Sequence, residues 1–236
     1  MYKEVLDMPT EKSLSRNLLL FTVTWFIFVH WGLELAVIGV FYSITGHIKS
    51  QTSFQYLTKV WAISGLRILM IFILTSAVGL RFSSLYQGSL GKRGLILGIV
   101  LLVPFIIIEV ICVGVSSYKL QILREFNFHL KLAGENKPLA LLGLTSEYIY
   151  YLIEILSVNT LYLGTSKFVG ARRAIIFPMV FWGFAHILNL IIEMNALQAL
   201  GLALYMSSVA LVIYYVAYHT GSLRVPIIAW MLLMIA

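Results

Sequence analysis

Charge is scarce in this 236-residue chain: 11% of its residues are Asp, Glu, Lys or Arg and 60% are apolar. Soluble domains carry about 25% charged and about 45–50% apolar residues, so a soluble globular enzyme is excluded. Cysteine is nearly absent. The lone Cys112 sits inside an apolar run and builds neither a disulfide framework nor a Cys/His metal spacing, which leaves the redox compartment unreadable. Internal repeats, low-complexity tracts and long linkers are missing too, so residues 1–236 are expected to form a single transmembrane domain. Met1-Tyr2 lacks the glycine that myristoylation needs and Leu233–Ala236 has no cysteine, so no lipid anchor is expected at either end.

What fills the chain instead is long apolar runs separated by short polar breaks, with a mean hydropathy of +0.92. Only lipid can solvate so much apolar surface, and the fold class expected is an all-α polytopic membrane protein. Breaks at charges and at Gly/Pro clusters predict about seven spans, near 17–42, 60–80, 94–117, 138–163, 174–192, 197–219 and 224–236, the last one short. The first run is too long for a signal-peptide core and is expected to remain as a span. Between Tyr118 and Lys137 lies the one sizeable connection. Its alternation of Phe126, Phe128, Leu130 and Leu132 with polar residues fits a strand, an interfacial segment or a folded loop.

Lysine and arginine outnumber aspartate and glutamate by 17 to 10. The bases lie in the breaks between spans, where membrane orientation accounts for them, and a nucleic-acid partner is set aside. Alternate breaks collect ten bases on the side of the N-terminus and six on the other, with Arg67 inside a span. That bias places the N-terminus in the cytoplasm.

Five of the ten acids, Glu34, Glu109, Glu147, Glu154 and Glu193, fall within or at the edge of apolar spans, together with His30, Arg67, His186 and Asn189. An ionised side chain at mid-bilayer costs at least ~2.5–3.5 kcal/mol on insertion scales, so these groups need partners or a watery cavity. At ~1.5 Å per residue, Glu154 lies roughly 14 Å from the cytoplasmic end of its span, His186 about 20 Å and Glu147 about 24 Å. Arg67, Glu109 and His30 fall at roughly 19–23 Å, which makes a polar layer across the bundle. A glutamate and a histidine facing one pocket can hold a water, with the carboxylate as general base. The cofactor is unknown; a divalent metal is conceivable, but a catalytic zinc takes three ligands and only His186 with carboxylates stands at the right depth. Plainer roles stand beside these: an ion pair of Arg67 with Glu109 or Glu34, a packing pair of His30 with Glu34, headgroup solvation of Glu193, interhelical bonding by Asn189, and a surface position for His219.

The stretch from Glu154 onward resembles the CPBP group of CAAX proteases and bacteriocin-processing enzymes, also called the Abi family. Trp182-Gly183-Phe184-Ala185-His186 is similar to its aromatic-x-x-x-His motif, and Thr220-Gly221-Ser222-Leu223-Arg224-Val225-Pro226 is similar to the segment that leads into its last catalytic helix. The likeness covers about the C-terminal third by motif order, with a CPBP-like core near 138–236. It implies a helical bundle around a cavity open to the cytoplasm and intramembrane proteolysis of prenylated C-terminal motifs or leader peptides. Glu154 would be the general base, and His186 would orient water or stabilise the oxyanion. Glu147, Asn159, Asn189, Arg67 and Glu109 are the other polar residues expected in the cavity.

Two motifs depart from the family. The paired glutamates reduce to Glu154 beside Ile153 and Ile155, with Asn159 or Val158 where an arginine is usual. Beyond Pro226, Trp230 and Met234 stand where a histidine and an Asn or Asp belong. Losing one member of a catalytic unit costs orders of magnitude in rate. Two functions are therefore expected as alternatives: an intramembrane endopeptidase using Glu154 and His186, or a non-catalytic subunit, scaffold or immunity-like partner of another membrane protein. A proton pathway through the buried acids is a third, with no inverted repeat in its favour. The cell membrane of a prokaryote is the location the resemblance implies.

Overall fold

The computed structural model describes residues 11–89, 91–192 and 195–236. Glu193 lies outside them. Among the described residues the regular structure is helical with no strand, and six helical stretches are long and apolar enough to cross a bilayer: Leu14–Thr45, Ser53–Ala77, Gly94–Val113, Lys137–Val169, Ala171–Ile191 and Ala196–Thr220. The protein is an all-α polytopic integral membrane protein. A seventh apolar helix, Arg224–Ile235, has 12 residues, about 18 Å at the α-helical rise, and falls short of the hydrocarbon thickness.

We number the α-helices in chain order: α1 Glu11–Thr24, α2 Trp31–Thr45, α3 Ser53–Ala77, α4 Lys92–Val113, α5 Gln121–Leu132, α6 Lys137–Val169, α7 Ala171–Ala174, α8 Ala196–Thr220 and α9 Arg224–Ile235. Side-chain caps start three of them. Thr52, Asn136 and Asn195 each accept the backbone N–H three residues on, satisfying a donor that the first turn leaves free. Gly46 and Gly221 end α2 and α8 at φ of 73° and 63°, the left-handed conformation in which a Cβ is unfavourable.

Two spans are not regular α-helices. The first widens to a π-helical turn at Trp25–Val29 and breaks at His30 before α2 begins. After Pro178 the fifth runs as a π-helical segment to Gly183 and then as 3-10 helix from Phe184 to Ile192. Irregular backbone of this kind is tolerated in a membrane only where protein or a cavity surrounds it, and π-turns concentrate at functional sites.

The 33-residue α6 forms the axis of the bundle, with α1, α3, α5 and α9 packed around it and α8 laid against the irregular fifth span. Its middle turns bury Ile155, Val158 and Leu161 among Trp25, Trp182, Ile213 and Tyr214. The segment 118–137 contains a helix, and neither a strand nor an irregular loop. Ile122, Glu125, Phe126 and His129 recur at helical spacing on the face that α5 turns inward, and contact with α6 overrides the period-two alternation.

Candidate functional site

Each irregular span delivers an imidazole to the same side of α6. The π-turn in the first span ends at His30, which is buried and stacked on Trp25 with ring centroids 4.9 Å apart. The fifth span brings Trp182 and His186. Gly183 allows this approach, because a Cβ there would stand 2.5 Å from Ser207 Cα and 2.7 Å from the Met206 carbonyl oxygen on α8.

These elements enclose a cavity of about 360 Å³, and its lining includes His30, Glu34, Glu109, Glu154, His186 and Asn189, with Tyr150, Tyr205, Trp230 and Met234. Glu154 and His186 therefore share one cavity, as their depths in the sequence suggest. Glu154 is buried. Its Oε1 accepts the Trp182 indole N–H at 3.0 Å and stands 3.8 Å from His30 Nε2.

Hydrogen bonds assign the proton positions on both rings. Ser157 Oγ donates to the Glu154 carbonyl at 2.7 Å, so it accepts from His30 Nδ1 at 2.9 Å. The neutral His30 ring thus holds its hydrogen on Nδ1 and turns a bare Nε2 toward the carboxylate. At 3.8 Å the two acceptors make no direct hydrogen bond, and a proton donated between them, as by a bridging water, would satisfy both. His186 Nδ1 lies 2.8 Å from the Trp182 carbonyl and 3.1 Å from that of Gly183. Carbonyls only accept, so Nδ1 is again the protonated nitrogen and Nε2 is free to take a proton or a hydrogen bond. The ring edge packs on Trp31 at a centroid distance of 5.1 Å.

The remaining polar residues separate into those in the cavity and those elsewhere. Glu34 lines the cavity, paired with fully buried Arg67 at 2.7 Å and accepting the Tyr150 hydroxyl. Arg67 lies behind it, bonded also to the Val29 carbonyl at 3.1 Å, and is not among the lining residues. Of its two expected partners, the structure selects Glu34. Glu109 instead accepts from Tyr205 at 2.8 Å and faces Arg124 at 4.0 Å. Asn189 lines the cavity and donates to the His186 carbonyl.

Glu147 and Asn159 are outside the lining. Glu147 binds His129 at 2.6 Å beneath α5. Asn159 is buried in a knot of backbone bonds, donating to the Leu85 and Leu223 carbonyls and accepting from Tyr214. It ties the 3-10 turn at Phe82–Tyr86 to the start of α9. Seven-residue spacing puts Glu147 on the Glu154 face of α6, but two turns of helix carry it out of the cavity and under α5.

His30 is the residue whose place the sequence understated. Its i,i+4 spacing to Glu34 suggests a pair, yet Glu34 turns to Arg67 while His30 turns to Glu154. Its depth in the polar layer was the available signal. Trp230 and Met234, where the resemblance would put a last polar pair, line the cavity. Trp230 packs edge-on to Trp182 at 5.0 Å, with its Nε1 buried and without a hydrogen-bond partner among the described residues. Among the described residues no group of three or more His, Cys, Asp or Glu is placed to hold a metal ion. No family model, curated protein or solved structure matches the chain.

Proposed function

We propose that the protein is a CPBP-like intramembrane endopeptidase in which Glu154 is the general base. The single observation that carries this reading is a buried carboxylate, fixed by the Trp182 N–H, at the wall of a cavity that also holds two imidazoles. A water against Glu154 gives its proton to the carboxylate while its oxygen attacks the peptide carbonyl carbon. The proton passes to the departing amine as the C–N bond breaks. His186, with Nε2 free, orients the water or, once protonated, donates to the oxyanion. His30, 3.8 Å from Glu154, offers a second proton position beside the carboxylate, whereas the motif position for the family's last histidine carries Trp230. The N-terminus is assigned to the cytoplasm of a prokaryotic cell, and the substrate class is a peptide presented at the membrane.

The reading is tested by reconstituting the full chain in liposomes with a quenched peptide reporter. Glu154→Gln is expected to abolish cleavage with the fold intact, and unchanged cleavage ends the proposal. A second reading, a non-catalytic subunit or immunity-like partner, is favoured by Trp230 and Met234, which fill two motif positions with groups that transfer no proton. Recovery of a stoichiometric membrane partner together with an inactive wild-type chain supports it.

A further inference from the structure

Away from the polar cavity, the start of the fifth span and α8 leave a groove of about 480 Å³ on the outer surface of the bundle. Its walls are apolar: Ile175, Ile176, Met179 and Leu211, with the Tyr215 ring beside them. Ile176, Leu211 and Tyr215 are 45–53% exposed, so the groove opens outward toward lipid. At one end stand Arg172 and Arg173. Both are exposed, and neither guanidinium has an ion-pair or hydrogen-bond partner among the described residues.

A second groove of similar size, about 490 Å³, shows by contrast why this pairing matters. It is mostly apolar, with Asn17 and Thr24 in its wall, and also carries a base, Lys167, but that ammonium donates to the Val78 and Gly79 carbonyls at 2.6 and 3.1 Å and so closes the end of α3. The arginine groove keeps its charge uncommitted. Two adjacent guanidinia present planar forks matched to phosphate oxygens. The apolar trough that continues from them, lined by Ile175, Ile176, Met179 and Leu211, has the polarity of an acyl chain. Tyr215 at the same end is the amphipathic ring expected at headgroup depth.

We propose that this groove is a binding site for an anionic glycerophospholipid of the surrounding bilayer, with its phosphate on Arg172 and Arg173 and one acyl chain along Ile176, Met179 and Leu211. The site is independent of the proteolytic reading. Basic groups near a membrane surface each favour anionic lipid by about 1 kcal/mol, so removing both lowers relative retention about thirty-fold.

Native mass spectrometry of the full chain, released from detergent with equimolar phosphatidylglycerol and phosphatidylcholine, reads this directly. The wild type is expected to keep one phosphatidylglycerol in preference to phosphatidylcholine. Arg172→Gln with Arg173→Gln should lower that preference about thirty-fold, and Ile176→Trp, which fills the trough, should lower retention of both lipids with the arginines in place. Equal retention of the two lipids by the wild type, or an unchanged preference in the double variant, overturns the proposal. So does a dimer that shields Ile176 and Tyr215, which would make the occupant a second copy. If the double variant fails to fold, the wild type decides alone: phosphatidylglycerol must raise its melting temperature more than phosphatidylcholine does.

Discussion

His30 Nε2 and Glu154 Oε1 face one another across 3.8 Å, an imidazole from the first span against a carboxylate from α6. Ser157 holds the hydrogen of the ring on the opposite nitrogen, so Nε2 faces the carboxylate as a bare acceptor. Neither residue is near the other in sequence, and His30 leaves Glu34, the partner its i,i+4 spacing suggests, to Arg67. If this pair serves the proposed hydrolysis, His30→Gln should lower kcat by about 10²–10⁴-fold, the range for removing a positioned acid–base group. Glu154→Gln should go further, to the background rate. Cleavage of the reporter peptide in liposomes, with melting temperatures measured alongside, separates these losses from misfolding.

The ion pair of Glu34 with Arg67 is expected to stabilise the bundle only while both members are present. Arg67→Met strands Glu34 beside Tyr150, and loss of one partner of a buried pair costs about 3–5 kcal/mol. Replacing both, Arg67→Met with Glu34→Leu, should recover most of that loss. Thermal unfolding in mild detergent checks it; a double variant as unstable as the single one would show that Arg67 acts through its bond to Val29 and its place over the Tyr150 ring.

Gly183→Ala should disturb the site through the backbone. The added methyl meets backbone atoms of Met206 and Ser207, which have no freedom to yield, so α8 and the π-segment must separate. Overpacking of this kind costs about 1–3 kcal/mol. Because Trp182 precedes the glycine, the bond to Glu154 should loosen as well, and the emission of the buried tryptophans is expected to shift red.

Glu125, on α5 outside the six spans, gives a pH-dependent prediction. Burial, and next the Glu147 carboxylate, hold its carboxyl above the usual carboxylate range, although Gln121 and Tyr151 donate to it. The folded state thus binds this proton more tightly than the unfolded chain, and stability falls as pH rises through the folded value. Glu125→Gln should raise the melting temperature at pH 8. The gain should shrink as pH drops and vanish below about 4.3, where the acid is protonated in both states. A gain independent of pH would assign the effect to packing.

Membrane class, the approximate spans and the placing of Glu154 and His186 on one cavity were legible in the amino-acid order, because each follows from hydropathy and a constant helical rise. Helical spacing along one chain says which residues share a face but not which neighbour that face meets. Thus Arg67 takes Glu34 rather than Glu109, Glu147 and Asn159 lie outside the cavity, and the 118–137 segment becomes a helix against α6 despite its alternating pattern. The π-turn before His30 and the π- and 3-10 course of the fifth span were settled only by tertiary packing. They exchange regular backbone hydrogen bonds for contacts with other helices, and nothing local in the sequence records that exchange.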